Sequence, residues 1–293
     1  MYWRLINFFG KKIIISHLLT FQRNFKHPRL IGFRMTSKLD SEIIRKLAQP
    51  YYFQSEANEA NTLVILVHGF GASATETRPL GEFLRSKGFD VLGILLEGHG
   101  TTPRDLDAIK WEDWFENIRD IYEKNIENYD NLFIGGVSLG GALSLYASTK
   151  IKFKGVFTIN ALYRYSFIYK ILARFLQIFR FHKPRNPTRI EWYLEKGLFA
   201  YHEDCVHAAY EVMKFLKILN KRVKLIEIPA LIIQSLTDKT VSPKSGEWIS
   251  NDLQSRKELL IIPEGDHILT VDPNREVAFD KIEEFIRKLL SEN

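Results

Sequence analysis

The chain has little cysteine and no long apolar run. Cys205 is the only cysteine in 293 residues, so intrachain disulfides are excluded. No run of about 18 apolar residues, the length that a membrane-spanning helix needs, occurs in the sequence. Cys and His residues are not clustered at the spacing of metal ligands. We therefore expect a cytoplasmic globular protein without a metal ion, and not a disulfide scaffold or a helical membrane protein.

Positive charge is unevenly distributed along the chain. The net charge is +6, but residues 1–39 and residues 161–225 carry +8 each, which leaves −10 on the remainder. These two segments also hold 20 of the 38 aromatic residues. Basic, aromatic helices can lie in the interface of an anionic bilayer, where each Lys or Arg contributes about 1 kcal/mol. We expect peripheral contact with an anionic membrane through both segments, and packing over the core explains the second equally well.

The hydrophobic pattern from Asn61 onward alternates between short apolar runs and amphipathic stretches, which is typical of βα units around a parallel sheet. Strands are predicted at 62–70, 90–100, 131–138, 153–160, 230–236 and 258–264. Helices are predicted near 78–87 and at 111–126, 139–148 and 274–290. The alternation is interrupted at 161–225 by helical, aromatic and basic sequence. We interpret this interruption as an inserted helical cap.

A G-x-S-x-G pentapeptide lies between a predicted strand and a predicted helix. Its fixed members are Gly136, Ser138 and Gly140, and Gly141 follows directly. At a sharp strand-to-helix turn the serine backbone is strained, and small residues two positions on either side avoid collision with the neighbouring strand and helix. The hydroxyl then projects from the edge of the sheet. This context, more than the pentapeptide itself, predicts that Ser138 is a nucleophile.

A serine nucleophile needs a base, and the base needs a carboxylate that orients it. Asp238 follows the predicted strand 230–236, and His267 follows the predicted strand 258–264. Both lie past the carboxyl ends of strands, at the sheet edge where Ser138 lies and where sites form in α/β proteins. The order Ser, Asp, His matches a known order of catalytic triads. We predict that these three residues form a triad.

Two other carboxylates compete with Asp238 for the orienting role. Asp266 adjoins His267, but adjacent side chains point apart in most backbone geometries, so Asp266 is better explained as a turn residue. Asp272 precedes Pro273 at a predicted helix start, where acidic residues act as caps. We therefore favour Asp238.

The oxyanion of a tetrahedral intermediate needs backbone amides, and each donor lowers the barrier by about 2.7–4 kcal/mol. Leu139, which follows the nucleophile, is predicted to supply one amide. The second is expected from the His-Gly-Phe-Gly loop at 68–71, and we assign it to Phe70. His68 is interpreted as a residue that braces this loop, not as a proton carrier.

Together these motifs resemble the α/β-hydrolase superfamily, and within it the bacterial carboxylesterases and monoacylglycerol lipases. The resemblance covers about residues 61–290. It is carried by HGFG at 68–71, EGHG at 97–100, the Trp111/Trp114 helix, GVSLGG at 136–141, TDKTVSP at 237–243 and GDHILTVD at 266–273. It implies a mostly parallel central sheet of about eight strands flanked by helices, a cap inserted after the sixth strand, and catalysis without a cofactor. The residues it assigns to the site are Ser138, Asp238, His267, Phe70 and Leu139.

The resemblance also divides the chain into regions. They are a basic aromatic arm at 1–39, an α/β-hydrolase core at 40–160 and 226–293, and a helical cap at 161–225. Small esterases of this type begin near the sheet. Residues 1–34 therefore look like an addition, and Met35 is an alternative start.

The predicted function is hydrolysis of a carboxylic ester, either a simple ester or a monoacylglycerol, through an acyl-enzyme on Ser138. The expected partner is thus a small-molecule or lipid ester substrate. Because the predicted catalytic residues explain the chain as an enzyme, we do not expect nucleic acid as a partner. A thioesterase, an acyltransferase or a peptidase of the same fold is the alternative within this chemistry. A ligand receptor with slow turnover is the alternative outside it.

Overall fold

The computed structural model describes most of the chain from Lys46 onward. The described residues are Lys46, 48–57, 61–164 and 182–292. The predicted arm at 1–39 and the alternative start at Met35 lie outside these residues, and so do residues 165–181 of the predicted cap.

Contacts divide the chain into two units, Met1–Asp40 and Ser41–Asn293, and every described residue belongs to the second. Within that described part, no helix combines the length and the apolar character needed to cross a bilayer. Its His, Cys, Asp and Glu side chains form no group of three or more that could hold a metal ion.

A seven-stranded sheet forms the centre of the described part of the chain. The described strands, within this sheet and outside it, are β1 (Tyr51–Phe53), β2 (Thr62–Val67), β3 (Asp90–Gly93), β4 (Asn131–Val137), β5 (Gly155–Ile159), β6 (His182–Pro184), β7 (Glu203–Cys205), β8 (Ala230–Ser235) and β9 (Lys257–Ile262). The order across the sheet is β1-β3-β2-β4-β5-β8-β9, while β6 and β7 pair separately. Only β1 runs antiparallel to its neighbour in this sheet. The mostly parallel α/β sheet that the sequence predicts is therefore confirmed.

Helices cover both faces of this sheet. They are α1 (Arg78–Ser86), α2 (Pro103–Ala108), α3 (Trp111–Asn125), α4 (Leu139–Ala147), α5 (Pro187–Glu195), α6 (Val206–Arg222), α7 (Ser245–Asp252) and α8 (Arg275–Leu290). In β2, Leu63 and Ile65 face a core that α3, α4 and α6 share. Val64 and Leu66 face a second core with α1 and α8. The alternation explains why the strand is apolar throughout, since side chains on both of its faces are buried.

The described sheet has seven strands, in line with the expectation of about eight. The segment predicted as a cap follows β5, the fifth strand of the described sheet. Because residues 1–45 lie outside the described part of the chain, a cap after the sixth strand stays a prediction.

The described end of the predicted cap packs on the core. Strands β6 and β7 pair antiparallel, and α6 contacts α2, α3 and α4. Phe215 of α6 lies within ring-contact distance of Trp111 and Tyr146, with ring centroids 5.5 Å and 5.7 Å apart. The boundaries of the cap at 161 and 225 remain predictions.

Candidate active site

Ser138 lies on a strained turn between β4 and α4. Its φ of +54° and ψ of −115° are rare for a residue with a side chain and cost about 1–3 kcal/mol. Three backbone hydrogen bonds hold the turn. The Ser138 amide donates to the Ile159 carbonyl at 3.0 Å, and its own carbonyl accepts from Ala142 and Leu162 at 3.2 Å and 3.1 Å. The surrounding structure therefore fixes the serine in this conformation.

The glycines of the pentapeptide are required by close backbone contacts. A Cβ atom on Gly136 would lie 2.3 Å from the Val67 carbonyl oxygen, and a Cβ on Gly140 would lie 2.1 Å from the same atom. A Cβ on Gly141 would lie 2.9 Å from the Gly136 oxygen. Because these neighbours are main-chain atoms at the ends of β2 and β4, they cannot move aside as a flexible side chain can. The motif is thus a packing requirement of the turn that carries Ser138.

His267 and Asp238 form a hydrogen-bonded pair. His267 Nδ1 lies 2.7 Å from Asp238 Oδ2, and the Asp238 side chain is fully buried. The other oxygen, Oδ1, accepts from the amides of Thr240 and Val241 at 2.7 Å and 2.9 Å, which fixes the plane of the carboxylate. When the carboxylate is ionised, Nδ1 must carry the imidazole proton. Nε2 of a neutral His267 is then a proton acceptor.

The two competing carboxylates have other positions. Asp272 accepts from the Asp266 amide through Oδ2 at 2.8 Å and from the Asn274 amide through Oδ1 at 2.7 Å, at the start of α8. Asp266 is exposed. Their contacts are those of a cap and a turn, as the sequence suggests.

Asn160 connects the loops that carry the three predicted triad residues, and sequence reasoning missed it. Its Nδ2 donates to the carbonyls of His267 and Asp266 at 2.9 Å and 3.2 Å, and its Oδ1 accepts from the Ser235 amide at 2.7 Å. It directly follows Ile159, the acceptor of the Ser138 amide. One fully buried side chain thereby ties the end of β5 to the end of β8 and to the loop after β9.

The loop after β2 contains the predicted oxyanion donor. The Gly69 amide donates to Glu76 Oε2 at 2.7 Å, so it is engaged within the protein. Within the described part of the chain, the amides of Phe70 and Leu139 have no acceptor. Leu139 is the first residue of α4, where amides lack intrahelical partners. Among the described residues, nothing competes with a ligand for these two amides.

His68 braces this loop. Its Nε2 accepts from the Leu96 amide at 3.1 Å, and its Nδ1 lies 2.8 Å from the Gly69 oxygen. Burial lowers the pKa of His68 to about 4, so the imidazole is neutral at pH 7. The interpretation of His68 as a bracing residue is confirmed.

Glu76 and Arg185 add two charged groups that the sequence did not indicate. Burial raises the pKa of the Glu76 carboxyl to about 7, although the Gly69 amide and the charges of His267 and Arg185 oppose this change. Arg185 Nε pairs with Asp204 Oδ1 at 2.5 Å. Its Nη2 lies 2.9 Å from where a Gly71 Cβ would stand, beside the loop at 68–71, which we call the oxyanion loop after its predicted role.

A cavity of about 190 Å³ opens beside His267. Its walls include Trp192, Tyr193, Arg189 and Lys239. A larger groove of about 540 Å³ lies at the opposite edge of the sheet, near the amino ends of β2 and β3. Three of its polar side chains bond one another, since the hydroxyls of Tyr52 and Tyr129 both donate to Asp90. We therefore place the site at the smaller cavity.

A mostly parallel sheet flanked by helices, with a serine on a strand-to-helix turn and a His–Asp pair at the same edge, defines the α/β-hydrolase class. The family model described as serine aminopeptidase, S33 (Hydrolase_4) matches residues 58–274. The chain belongs to this family, and the resemblance seen in the sequence motifs is confirmed.

Curated relatives span most of the chain. It is 25% identical over 231 residues to a carboxylesterase of Bacillus subtilis (strain 168), which covers 77% of this chain and 92% of that protein. It is 26% identical over 248 residues to a thermostable monoacylglycerol lipase of Bacillus sp. (strain H-257), covering 82% and 95%.

Solved structures have the same fold. A structure from a study of the metagenome-derived lipolytic enzymes LipS and LipT has a TM-score of 0.73 at 30% identity, covering 82% of this chain and 98% of that chain. A soluble variant of the monoglyceride lipase of Saccharomyces cerevisiae has a TM-score of 0.70 at 20% identity, covering 82% and 91%.

Proposed function

We propose that the chain is a serine hydrolase of carboxylic esters, of the carboxylesterase or monoacylglycerol lipase type, that acts through an acyl-enzyme on Ser138. The observation that carries the proposal is the 2.7 Å pair of His267 and Asp238 at the sheet edge where Ser138 is held on its strained turn. The names of the curated relatives favour an ester as the substrate.

The geometry suggests a role for each residue. Ser138 Oγ attacks the ester carbonyl while His267 Nε2 takes its proton, and Asp238 stabilises the imidazolium that forms. The oxyanion accepts hydrogen bonds from the amides of Phe70 and Leu139. His267 then gives its proton to the leaving alcohol. In the second half, His267 activates a water molecule that attacks the acyl-enzyme, and Ser138 is regenerated.

Other reactions of this chemistry differ in the leaving group, and the family description favours a peptidase as the second candidate. A thioesterase and an acyltransferase use the same acyl-enzyme. A slow-turnover receptor would keep the pocket but release its product rarely.

Turnover of a substrate panel tests the proposal. We expect steady multiple turnover of p-nitrophenyl esters and monoacylglycerols, with no detectable cleavage of aminoacyl p-nitroanilides. Acyl chains from short to long should be compared, because the shape of the cap sets the preference. Faster cleavage of the anilides than of any ester would contradict the ester assignment, and fewer than one turnover per chain would favour a receptor.

We also propose that the basic segments 1–39 and 161–225 hold the enzyme at an anionic membrane surface, from which it receives lipid esters. Their charge of +8 each is the support for this proposal. Vesicles containing anionic lipid should sediment the full chain at least about tenfold better than a chain beginning at Met35, and less so at high salt. Neutral vesicles are the control. Equal recovery of both chains on anionic vesicles would contradict a role for the arm.

A further inference from the structure

Glu76 is a buried acid beside the nucleophile that the mechanism above does not use. It is 5% exposed. A Cβ atom built on Gly69 would lie 2.9 Å from Glu76 Oε2 and 3.4 Å from Ser138 Cβ, so carboxylate and nucleophile flank the same point of the oxyanion loop. Burying a carboxylate is costly unless it is paired or hydrogen-bonded, and buried acids with a shifted pKa are concentrated at functional sites.

Several contacts fix Glu76 in this position. It ends a short 3₁₀ turn, Ala74–Glu76, which Ser73 caps through the Thr75 amide. Thr270 Oγ1 donates to the Glu76 carbonyl at 2.5 Å, and Thr270 lies three residues after His267. The backbone of Glu76 is thus bonded to the loop of the predicted base, while its side chain is bonded to the oxyanion loop.

We propose that Glu76 is a positioning residue for the reaction proposed above: its carboxylate anchors the Gly69 amide so that the Phe70 amide points at the substrate, and its charge stabilises protonated His267. Anchoring the Gly69 amide needs only an acceptor atom at the position of Oε2. Stabilising protonated His267 needs the negative charge. The inference rests on the proposed function, because His267 must become protonated for the charge to matter.

The groups around Glu76 agree with a charge effect on His267. Arg185 is permanently charged and already pairs with Asp204. Burial raises the pKa of Tyr193, so this phenol stays neutral through pH 9. His68 is neutral because burial lowers its pKa to about 4. From α1, Arg78 stacks over the Tyr51 ring at 4.6 Å. Among these groups, Glu76 is therefore the one whose own charge changes around neutral pH.

Two substitutions separate the acceptor from the charge. In Glu76→Gln the amide oxygen still accepts from Gly69, but the negative charge is lost. Because the Glu76 carboxyl is itself partly protonated below about pH 7, we expect the acid limb of kcat/KM against pH to move lower by up to about 1 pH unit, since protonated His267 loses a favourable charge. Glu76→Leu removes the acceptor as well, and we expect kcat to fall about 10–100-fold at all pH values with little change in KM. The assay is hydrolysis of a p-nitrophenyl ester between pH 5 and 9.

Glu211→Gln is the matched control. Glu211 is another buried glutamate, 4% exposed, but its partners are the Trp111 amide and Lys214. This variant should keep the wild-type pH profile. If Glu76→Gln also keeps it, the charge effect is wrong, and if Glu76→Leu keeps the wild-type kcat, the anchoring effect is wrong.

Thermal unfolding provides a measurement that does not depend on activity. The pKa of Glu76 is about 7 in the folded chain against 4.5 for an ordinary glutamate, so this group lowers stability progressively as the pH rises from about 4.5 to about 7. Glu76→Gln should therefore raise the melting temperature more at pH 8 than at pH 5. Equal changes in melting temperature at the two pH values would show that Glu76 is not a buried acid with a raised pKa. Absence of esterase activity in the wild-type chain would instead overturn the proposed function.

Discussion

Replacing Ser138 by alanine should lower kcat/KM for a p-nitrophenyl ester by about 10⁵–10⁶-fold and abolish labelling by a fluorophosphonate. The reason is loss of the proposed nucleophile. Folding should be unaffected, because alanine keeps the Cβ atom and the Ser138 side chain does not cap α4. Residual catalysis would come from substrate binding and from the two amides that we propose as oxyanion donors. Steady-state kinetics and mass spectrometry of the labelled chain measure these effects.

Ser144→Ala is the matched control for this prediction. Ser144 is fully buried in α4, and its hydroxyl donates to the Gly140 carbonyl at 2.8 Å. Its loss should leave kcat/KM within about threefold of the wild type, since a neutral hydrogen bond contributes only about 0.5–1.5 kcal/mol to stability. Retention of more than about 1% of wild-type activity by Ser138→Ala would show that another residue is the nucleophile.

The position of Ser138 could be predicted because its signals are local. Fewer than 20 residues contain the strand before it, the glycines around it and the helix after it. Each of these glycines is required by a close contact at the same turn. Strands β4, β5, β8 and β9 begin and end within two residues of their predicted bounds. Such agreement is expected for β4, β5 and β8, whose apolar runs are buried on both faces and ended by a turn, whereas β9 is only partly buried.

The strand bounds were predicted less well where buried residues do not pair with a neighbouring strand. The strand predicted at 90–100 ends at Gly93, although Ile94 and Leu96 are also buried. The Leu96 amide donates to the His68 ring instead of a strand, so the apolar run continues as a loop. Strand β1 has three residues and one neighbour, which is too short for a periodic pattern. Helix α2 was missed, but its capping box of Thr102 and Asp105 with Pro103 is a signal that could have found it.

Glu76 and Asn160 could not be found from sequence because their partners are distant. The Thr270 hydroxyl that bonds Glu76 is 194 residues away, and the His267 carbonyl that bonds Asn160 is 107 residues away. Neither residue belongs to a motif or interrupts a periodic pattern. Their roles follow from topology, which places the carboxyl ends of β2, β5 and β9 and the loops after them at one edge.

Replacing Asp238 by asparagine should lower kcat by about 10⁴-fold while KM changes little. Oδ1 of Asp238 accepts from two backbone amides, so the asparagine oxygen must take that place, and its NH₂ group must face His267 Nδ1. An NH₂ donor there requires Nδ1 to be an acceptor, which moves the imidazole proton to Nε2. The imidazole then cannot take the proton of Ser138. Ester hydrolysis under saturating substrate measures the loss.

The competing carboxylates supply the controls for this prediction. Asp266→Asn alters an exposed turn residue and should leave kcat within about threefold. Asp272→Asn disturbs the contacts with the amides of Asp266 and Asn274, so we expect lower thermal stability but a kcat within about tenfold of the wild type. If either control lowered kcat by about 10⁴-fold while Asp238→Asn stayed active, the control residue, and not Asp238, would be the one that orients His267. Because the 2.7 Å contact to His267 Nδ1 belongs to Asp238, we expect the loss at that residue alone.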